Sequence, residues 1–328
     1  MITEYIRIFK ARGWMKRNMP FLYTWHAYVG YELNLYSAFK KPKTIEEVAE
    51  KYSLQKDLLQ RWMDVGVAIS YMKKGSKGRF RTIKKIMLPA SKNNPSSSGA
   101  ILKEMMELHI PTLLSYPSVM KTKEKHTFNE ELHGTVVAQT SSMLEQLALR
   151  KISKLVKKNN VQTLVDVGCG HGGYLQKLAE KYPQINMYGL EANEEVSIEA
   201  KKRSEHVKRI TIEHVDAFEW YPKTEIDFVM VHNLLHYLST EDRKKLFTHI
   251  GKWLSKGGTI SIMTPIQNGK HGQQFSSVFN SFFSAYENLF PLPTKEEIGK
   301  IAKHADLSIS SYSPIVKEAG WYLITLEK

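Results

Sequence analysis

The sequence predicts an α/β chain: an open, mostly parallel sheet in the second half, preceded by a smaller and mostly helical domain. Three observations predict it. From residue 161 onward, short apolar runs alternate with amphipathic stretches, the pattern of repeated strand–helix units. The first of these runs, residues 164–167, passes directly into a glycine-rich turn and then into helix-forming residues 174–180. Before residue 98, successive helical patterns end in two short strand-like segments around a glycine-containing turn.

In the first domain, residues 1–98, the stretch 21–39 reads as an aromatic-rich helix. Thr44 followed three residues later by Glu47 is a capping box that opens a short helix through Lys51. A further helix runs from about Lys56 to Ser70, with Leu58, Leu59, Trp62, Met63 and Val67 at helical spacing. Residues 71–82 read as a hairpin. Helices followed by a hairpin give the order of a winged helix. Its last helix offers Lys56, Gln60 and Arg61, and its wing Lys73, Lys74, Lys77, Arg79 and Arg81, so both a DNA-binding face and a plain scaffold stand open. Residues 91–99 are turn and breaker types and form the expected linker. Residues 99–160 form a helical bridge, and residues 161–328 the sheet domain.

Charge divides along the same line. Residues 1–160 hold 28 Lys and Arg against 13 Asp and Glu, and residues 161–328 hold 19 against 20, so the net +14 lies wholly in the first half. A basic half suits an acidic partner, or simply a soluble lysine-rich surface. No apolar run reaches the 18 or so residues that span a bilayer, and the N-terminus lacks a signal-peptide apolar core, so the expected location is cytoplasmic. The single cysteine, Cys169, excludes an intrachain disulfide and reads as a small buried residue. The histidines show no metal-ligand spacing, so no metal is expected.

The chemistry gathers after residue 161. Asp166 closes the first strand, and Gly168, Gly170, Gly172 and Gly173 follow, letting the backbone turn tightly and approach a ligand. A second strand ends in Glu191, 25 residues after Asp166, where a carboxylate can accept hydrogen bonds from a ribose diol. A third ends near Asp216 and Phe218, where an acid and an aromatic would flank an adenine. A fourth, residues 226–232, ends at His232 and leads through Asn233 to His236. Trp253, the Gly257-Gly258 turn and residues 259–263 give a helix end and a fifth strand.

This series resembles the class I S-adenosylmethionine (SAM)-dependent methyltransferases, in order and spacing, over residues 163–263. The winged helix, and Phe128-Asn129 ahead of the first strand, extend the resemblance to two-domain small-molecule O-methyltransferases. The resemblance implies a Rossmann-like seven-stranded domain whose last strand, residues 320–326, enters antiparallel. It implies SAM as cofactor, S-adenosylhomocysteine as product, and a homodimer, with residues 4–15 free to swap onto the partner. Asp166, Gly168 and Gly170 correspond to the loop around the methionine part of SAM, and Glu191 to the acid that holds the ribose. Asp216 and Phe218 correspond to the adenine segment. His232 and Asn233 lie where the fourth strand opens over the cofactor. His236 falls on the general-base histidine of plant-type enzymes.

Two departures bear on the substrate. Leu132 stands where the plant-type pattern has a methionine, and His236-Tyr237-Leu238 replaces His-Asp-Trp; both weaken the case for a phenolic aryl substrate. At His236 a catalytic and a structural ring remain alternatives. Asp166 and Glu191 also suit NAD, and Asp216 also suits a helix cap. Phe275, Phe279, Phe282, Phe283, Tyr286 and Phe290 have spacing that fits core packing for at least half of them, the rest walling a pocket. The expected function is methylation of a small molecule at oxygen. Its rivals are a nucleic-acid methyltransferase, against which stands the lack of an Asn/Asp-Pro-Pro-Tyr motif, and a SAM-sensing DNA-binding regulator.

Overall fold

A computed structural model describes residues 2–84, 88–89, 92 and 97–328, and for residues 2, 130–136, 138–139 and 142–143 the backbone alone. Most of the expected linker at 91–99, and the side chains of Leu132 and His133, thus lie outside the described residues. The chain divides into two compact units, Met1–Leu108 and His109–Lys328.

The first unit begins with α1 (Ile2–Glu32), which ends where Asn34 takes a left-handed conformation before the short α2 (Leu35–Ala38). The expected single helix over 21–39 is therefore broken. Then α3 (Ile45–Tyr52) starts on the expected capping box: Glu47 N–H donates to the Thr44 hydroxyl, and Thr44 N–H to the Glu47 carboxylate. In α4 (Lys56–Ala68), Leu59, Trp62 and Met63 are buried, whereas Leu58 is exposed. Strands β1 (Met72–Lys74) and β2 (Phe80–Thr82) pair antiparallel and complete the hairpin. One cluster built on Leu35, Phe39, Val48, Trp62 and Met63 joins these elements. The unit closes with α5 (Gly99–Glu104), which runs into a π-helical turn at Met105–His109.

The second unit starts with α6 (Ile110–Leu114), α7 (Tyr116–Thr122) and the long α8 (Glu130–Lys158). Strands and helices then alternate through β3 (Thr163–Val167), α9 (Gly173–Lys181), β4 (Asn186–Glu191), α10 (Glu194–Ser204) and β5 (Ile210–His214), which is followed by β6 (Ile226–His232). Next come α11 (Thr240–Trp253), β7 (Leu254–Pro265), α12 (Gln273–Ser284), α13 (Lys295–His304), β8 (Ser308–Val316) and β9 (Trp321–Glu327). Polar caps at Asn193, Ser239 and Thr294 start α10, α11 and α13.

The seven strands order as β5-β4-β3-β6-β7-β9-β8. The first five run parallel, and β9 enters antiparallel between β7 and β8, as the sequence predicts. Chain order reverses between β3 and β6, so their carboxyl ends open a crevice, the place where such sheets bind ligands. The strands are buried on both faces. Val165, Val229 and Val231 face α11 and α13, and Leu164, Phe228 and Met230 face α8 and α9. That alternation sends Asp166 and His232 to the α9 side of the crevice. Trp253 ends α11 as expected, but β7 starts at once and carries the Gly257-Gly258 pair inside it, with a register shift opposite Ile226 and Phe228.

Candidate functional site

The glycine loop is shaped by its own backbone. Gly168, Gly170 and Gly172 all have positive φ, and Gly172 caps α9. The Gly168 and Cys169 N–H groups donate to Leu190 O at 2.9 and 3.0 Å, tying the loop to the end of β4. A side chain at Gly170 would meet nothing within 4 Å, so the loop presents bare backbone to open space there. Gly189 serves packing instead, because a Cβ there would sit 2.7–2.8 Å from Ile212, Cys169 and Leu175.

Glu191 spans this loop and the next. One carboxylate oxygen accepts from Gly170 N–H at 2.9 Å, the other from Asn193 N–H at 3.0 Å. Each oxygen keeps a lone pair, so the group is oriented and still able to accept from a ligand. Asp166 lies behind it, 2% exposed; burial, then the charges of Glu145 and Glu191, raise its carboxyl well above the usual range. Glu145 comes from α8, where it pairs with Lys177 at 3.0 Å, and it would block any side chain at Gly173. No local sequence signal marks Glu145, an ordinary acid on a long polar helix.

The remaining expected residues scatter around this cradle. Asp216 is exposed, and its carboxylate accepts from Phe218 N–H at 2.9 Å, closing a turn after β5 instead of capping a helix. The Phe218 ring packs on the α11 face of the sheet and lines a groove with Lys244, Thr248 and His249. His232 is buried at the end of β6, with Nε2 3.0 Å from the Ser261 hydroxyl and its ring 4.9 Å from Tyr174. Asn233 is left-handed; its N–H donates to Met263 O, and its side-chain oxygen accepts from Trp321 Nε1 at 2.9 Å, locking the end of β6 to β7 and β9. His236 sits on a 3₁₀ turn at Leu235–Tyr237, 8% exposed, with Phe283 stacked on it at 4.5 Å and 17°. Burial lowers His232 to about 3; burial, then the Arg243 charge, lowers His236 to about 3. Both rings are neutral near pH 7, and the Nδ1 of each is buried with no hydrogen-bond partner.

Of the six aromatics after β7, Phe282, Phe283 and Tyr286 are buried, and Phe275 and Phe279 pack at the edge of the α8 core. Phe128 is buried; Asn288 bonds both its backbone N–H and its carbonyl, and its ring lies 5.5 Å from Tyr286. Two residues missed in the sequence belong here. Tyr174, the second residue of α9, is buried against His232. Arg243 is 1% exposed on α11.

In the first unit, the helix expected to offer cations to DNA has its polar side chains engaged. Lys56 pairs with Glu46 at 2.5 Å, Gln60 donates to Asp64, and Arg61 pairs with Asp64 at 3.0 Å. On the wing, Arg79 pairs with Glu47 at 2.8 Å.

Comparison with known proteins bears on the second unit. Residues 164–258 match the model of a methyltransferase domain family. Trans-aconitate 2-methyltransferase of Acidovorax sp. (strain JS42) is 28% identical over 102 residues, 31% of this chain and 38% of that protein. The chain spans about two fifths to half of the length of the curated relatives it matches. Solved structures match over nearly the full chain at low identity. An O-methyltransferase family protein from Burkholderia thailandensis aligns with a TM-score of 0.79 at 16% identity, covering 97% of this chain and 98% of that one. Human N-acetylserotonin methyltransferase in complex with SAM aligns with a TM-score of 0.75 at 15% identity, covering 99% and 97%. Together with the strand order and the crevice between β3 and β6, these matches show a methyltransferase domain over residues 164–258 and, for the second unit, the fold of the O-methyltransferase structures.

Proposed function

We propose that the chain transfers the methyl group of SAM to an oxygen of a small molecule, leaving S-adenosylhomocysteine. The observation that carries the cofactor reading is the acidic glycine loop. The Glu191 and Glu145 carboxylates act there, near enough to raise Asp166, beside the bare backbone of Gly170. SAM brings an ammonium and a sulfonium, which this field attracts. The pyrophosphate of NAD would bring two negative charges into it. The residues therefore fit SAM, with Glu191 accepting from the ribose hydroxyls and Gly168, Gly170 and Asp166 around the methionine part.

Bound SAM supplies an electrophilic methyl group on a sulfonium, so the chain's task is alignment and proton removal. In this reading His236 performs the second. Neutral near pH 7, its Nδ1 takes the proton of the acceptor hydroxyl, and solvent later takes it from the ring. Similar proteins include a trans-aconitate 2-methyltransferase and a mitomycin 7-O-methyltransferase, which fits a small acceptor. The in-chain acids beside Lys56, Arg61 and Arg79 would repel phosphates, which favours a scaffold over a nucleic-acid face.

Titration calorimetry with S-adenosylhomocysteine tests this reading. Glu191→Ala removes a carboxylate that accepts two backbone N–H bonds and two ribose bonds, so affinity should fall roughly 100-fold or more. Unchanged affinity in the variant, or preference of the wild type for NAD, would overturn the cofactor assignment.

We further infer a homodimer through α1. Tyr5, Ile8, Phe9, Trp14, Phe21 and Leu22 are all more than half exposed along it. They alternate with Arg7, Lys10, Arg12, Lys16 and Arg17, and so many exposed aromatic and aliphatic side chains on one helix mark a surface that a partner covers. A second copy is that partner. Sedimentation of wild type against a Phe9→Glu/Trp14→Glu variant should show dimer going to monomer; two monomers would refute it.

A further inference from the structure

Arg243 is the least exposed cation among the described residues, at 1%, and the cofactor reading gives it no task. Its three donor positions reach three separate segments. Nε–H donates to Leu235 O at 2.8 Å, one guanidinium NH₂ to Pro291 O at 2.6 Å, and the other to the Glu297 carboxylate at 2.8 Å. Leu235 immediately precedes His236. Pro291 immediately follows Phe290, whose N–H donates to His236 O at 2.8 Å. Two adjacent residues of the histidine turn are thus tied to two adjacent residues ahead of α13, one tie made directly and one through the guanidinium.

Other contacts complete the frame. Phe283 of α12 stacks on the His236 ring, and Tyr237 lies 4.3 Å from it. The charged groups facing this turn are Arg243 from α11 and, across it, Glu297 from α13. No acidic side chain bonds the His236 ring among the described residues, and its Nδ1 is unpartnered. A base histidine is ordinarily oriented by a third group that holds its second nitrogen. Here the holding group acts on the backbone instead.

We propose that Arg243 is a positioning residue for methyl transfer, fixing the turn that carries His236 and so holding that imidazole in one orientation. This rests on the reading of His236 as the proton acceptor. The chemistry favours arginine over lysine, because only the planar fork reaches two carbonyls and a carboxylate at once. A buried cation beside the ring also opposes a second positive charge.

Nitrogen-15 NMR of histidine-labelled, full-length protein tests the proposal without a substrate, with His236→Gln assigning the signal. In wild type the His236 ring should stay neutral, in one tautomer, down to about pH 5. In Arg243→Gln its titration midpoint should climb by about one pH unit or more while those of His26 and His232 stay in place. Arg243→Lys keeps the charge opposite Glu297 but loses the carbonyl ties, so the midpoint should hold while the single-tautomer signal is lost. An Arg243→Gln protein that still binds S-adenosylhomocysteine and shows a wild-type His236 signal would overturn the proposal. If that variant does not fold, a wild-type His236 signal in Arg243→Lys does the same. Methyl transfer surviving in His236→Gln would instead remove the base reading and leave this titration unaffected.

Discussion

His26 in the first unit and His236 in the second are both buried and both neutral near pH 7, yet their ring nitrogens meet different surroundings. The Nε2 of His26 lies 3.0 Å from Trp62 O, which can only accept, so that nitrogen carries the proton. Nδ1 then accepts from the Tyr36 hydroxyl at 2.9 Å. The ring also stacks on Trp62 at 4.2 Å and 5°. Every polar capacity of His26 is used inside the core. His236 is equally enclosed, with one nitrogen left unmatched and its backbone clamped from two sides. A buried polar group without a partner costs stability, roughly 1–3 kcal/mol, and a fold retains it where a ligand completes it. On the proposed reading of His236, the comparison separates a histidine that holds a core from one that awaits a reactant.

Exchanging the two breaks the comparison if it is wrong. His236→Gln should lower methyl transfer by roughly 10²–10⁴-fold, the usual worth of general-base help, while S-adenosylhomocysteine affinity stays within about twofold. His26→Gln should do the reverse. Losing the Trp62 stack and one of the two hydrogen bonds should cost the first unit about 2–3 kcal/mol in denaturant unfolding, with cofactor affinity unchanged. Equal loss of transfer in both variants would mean that His236 is only another core ring.

Much of this site is legible in the sequence, because it is built from backbone events with strong local signals. Strand, glycine turn and helix follow from apolar runs and from glycines at residues 168–173. Glu191 follows from its place at the end of the second strand. The capping box at Thr44 and Glu47 needs only four residues to recognise. What escapes is long-range. Glu145 reaches the loop from α8, and only the fold brings the two together. The Phe218 ring turns to the α11 face, since strand spacing sets where a segment ends and not where its rings point. Arg243 did leave a trace. It shares a helix face with Leu246, Phe247 and Ile250, all buried, while Lys244 and Lys245 beside it do not. A cation within an apolar stripe marks a buried ion pair. Gly66 carries a similar trace for His26: glycine is costly inside a helix, but a Cβ there would lie 2.6 Å from His26 Nε2.

The smallest expected effect is the pH dependence of stability, and it sharpens the comparison because it acts on both units. Burial, opposed in part by the Trp62 bond, lowers His26 to about 4, while His232 and His236 lie at about 3, against 6.5 for a free histidine. Below 6.5 the unfolded chain therefore binds protons that the folded chain refuses, so stability falls with falling pH, by about 1.4 kcal/mol per pH unit for each histidine, until its folded value is reached. Asp166 has the opposite sign. Its raised folded value means the folded chain keeps a proton that the unfolded chain releases above 3.8, so its contribution is lost as pH rises. Denaturant midpoints between about pH 5 and 7 separate the two. His26→Gln should remove one histidine's slope from the first unit's transition and leave the second unit's slope intact. His236→Gln should do the converse. S-adenosylhomocysteine, which would bind only the folded second unit, should raise that transition alone. A His26→Gln protein with the wild-type slope in the first transition would mean that His26 is protonated within the fold, and the tautomer argument that separates the two rings would fall with it.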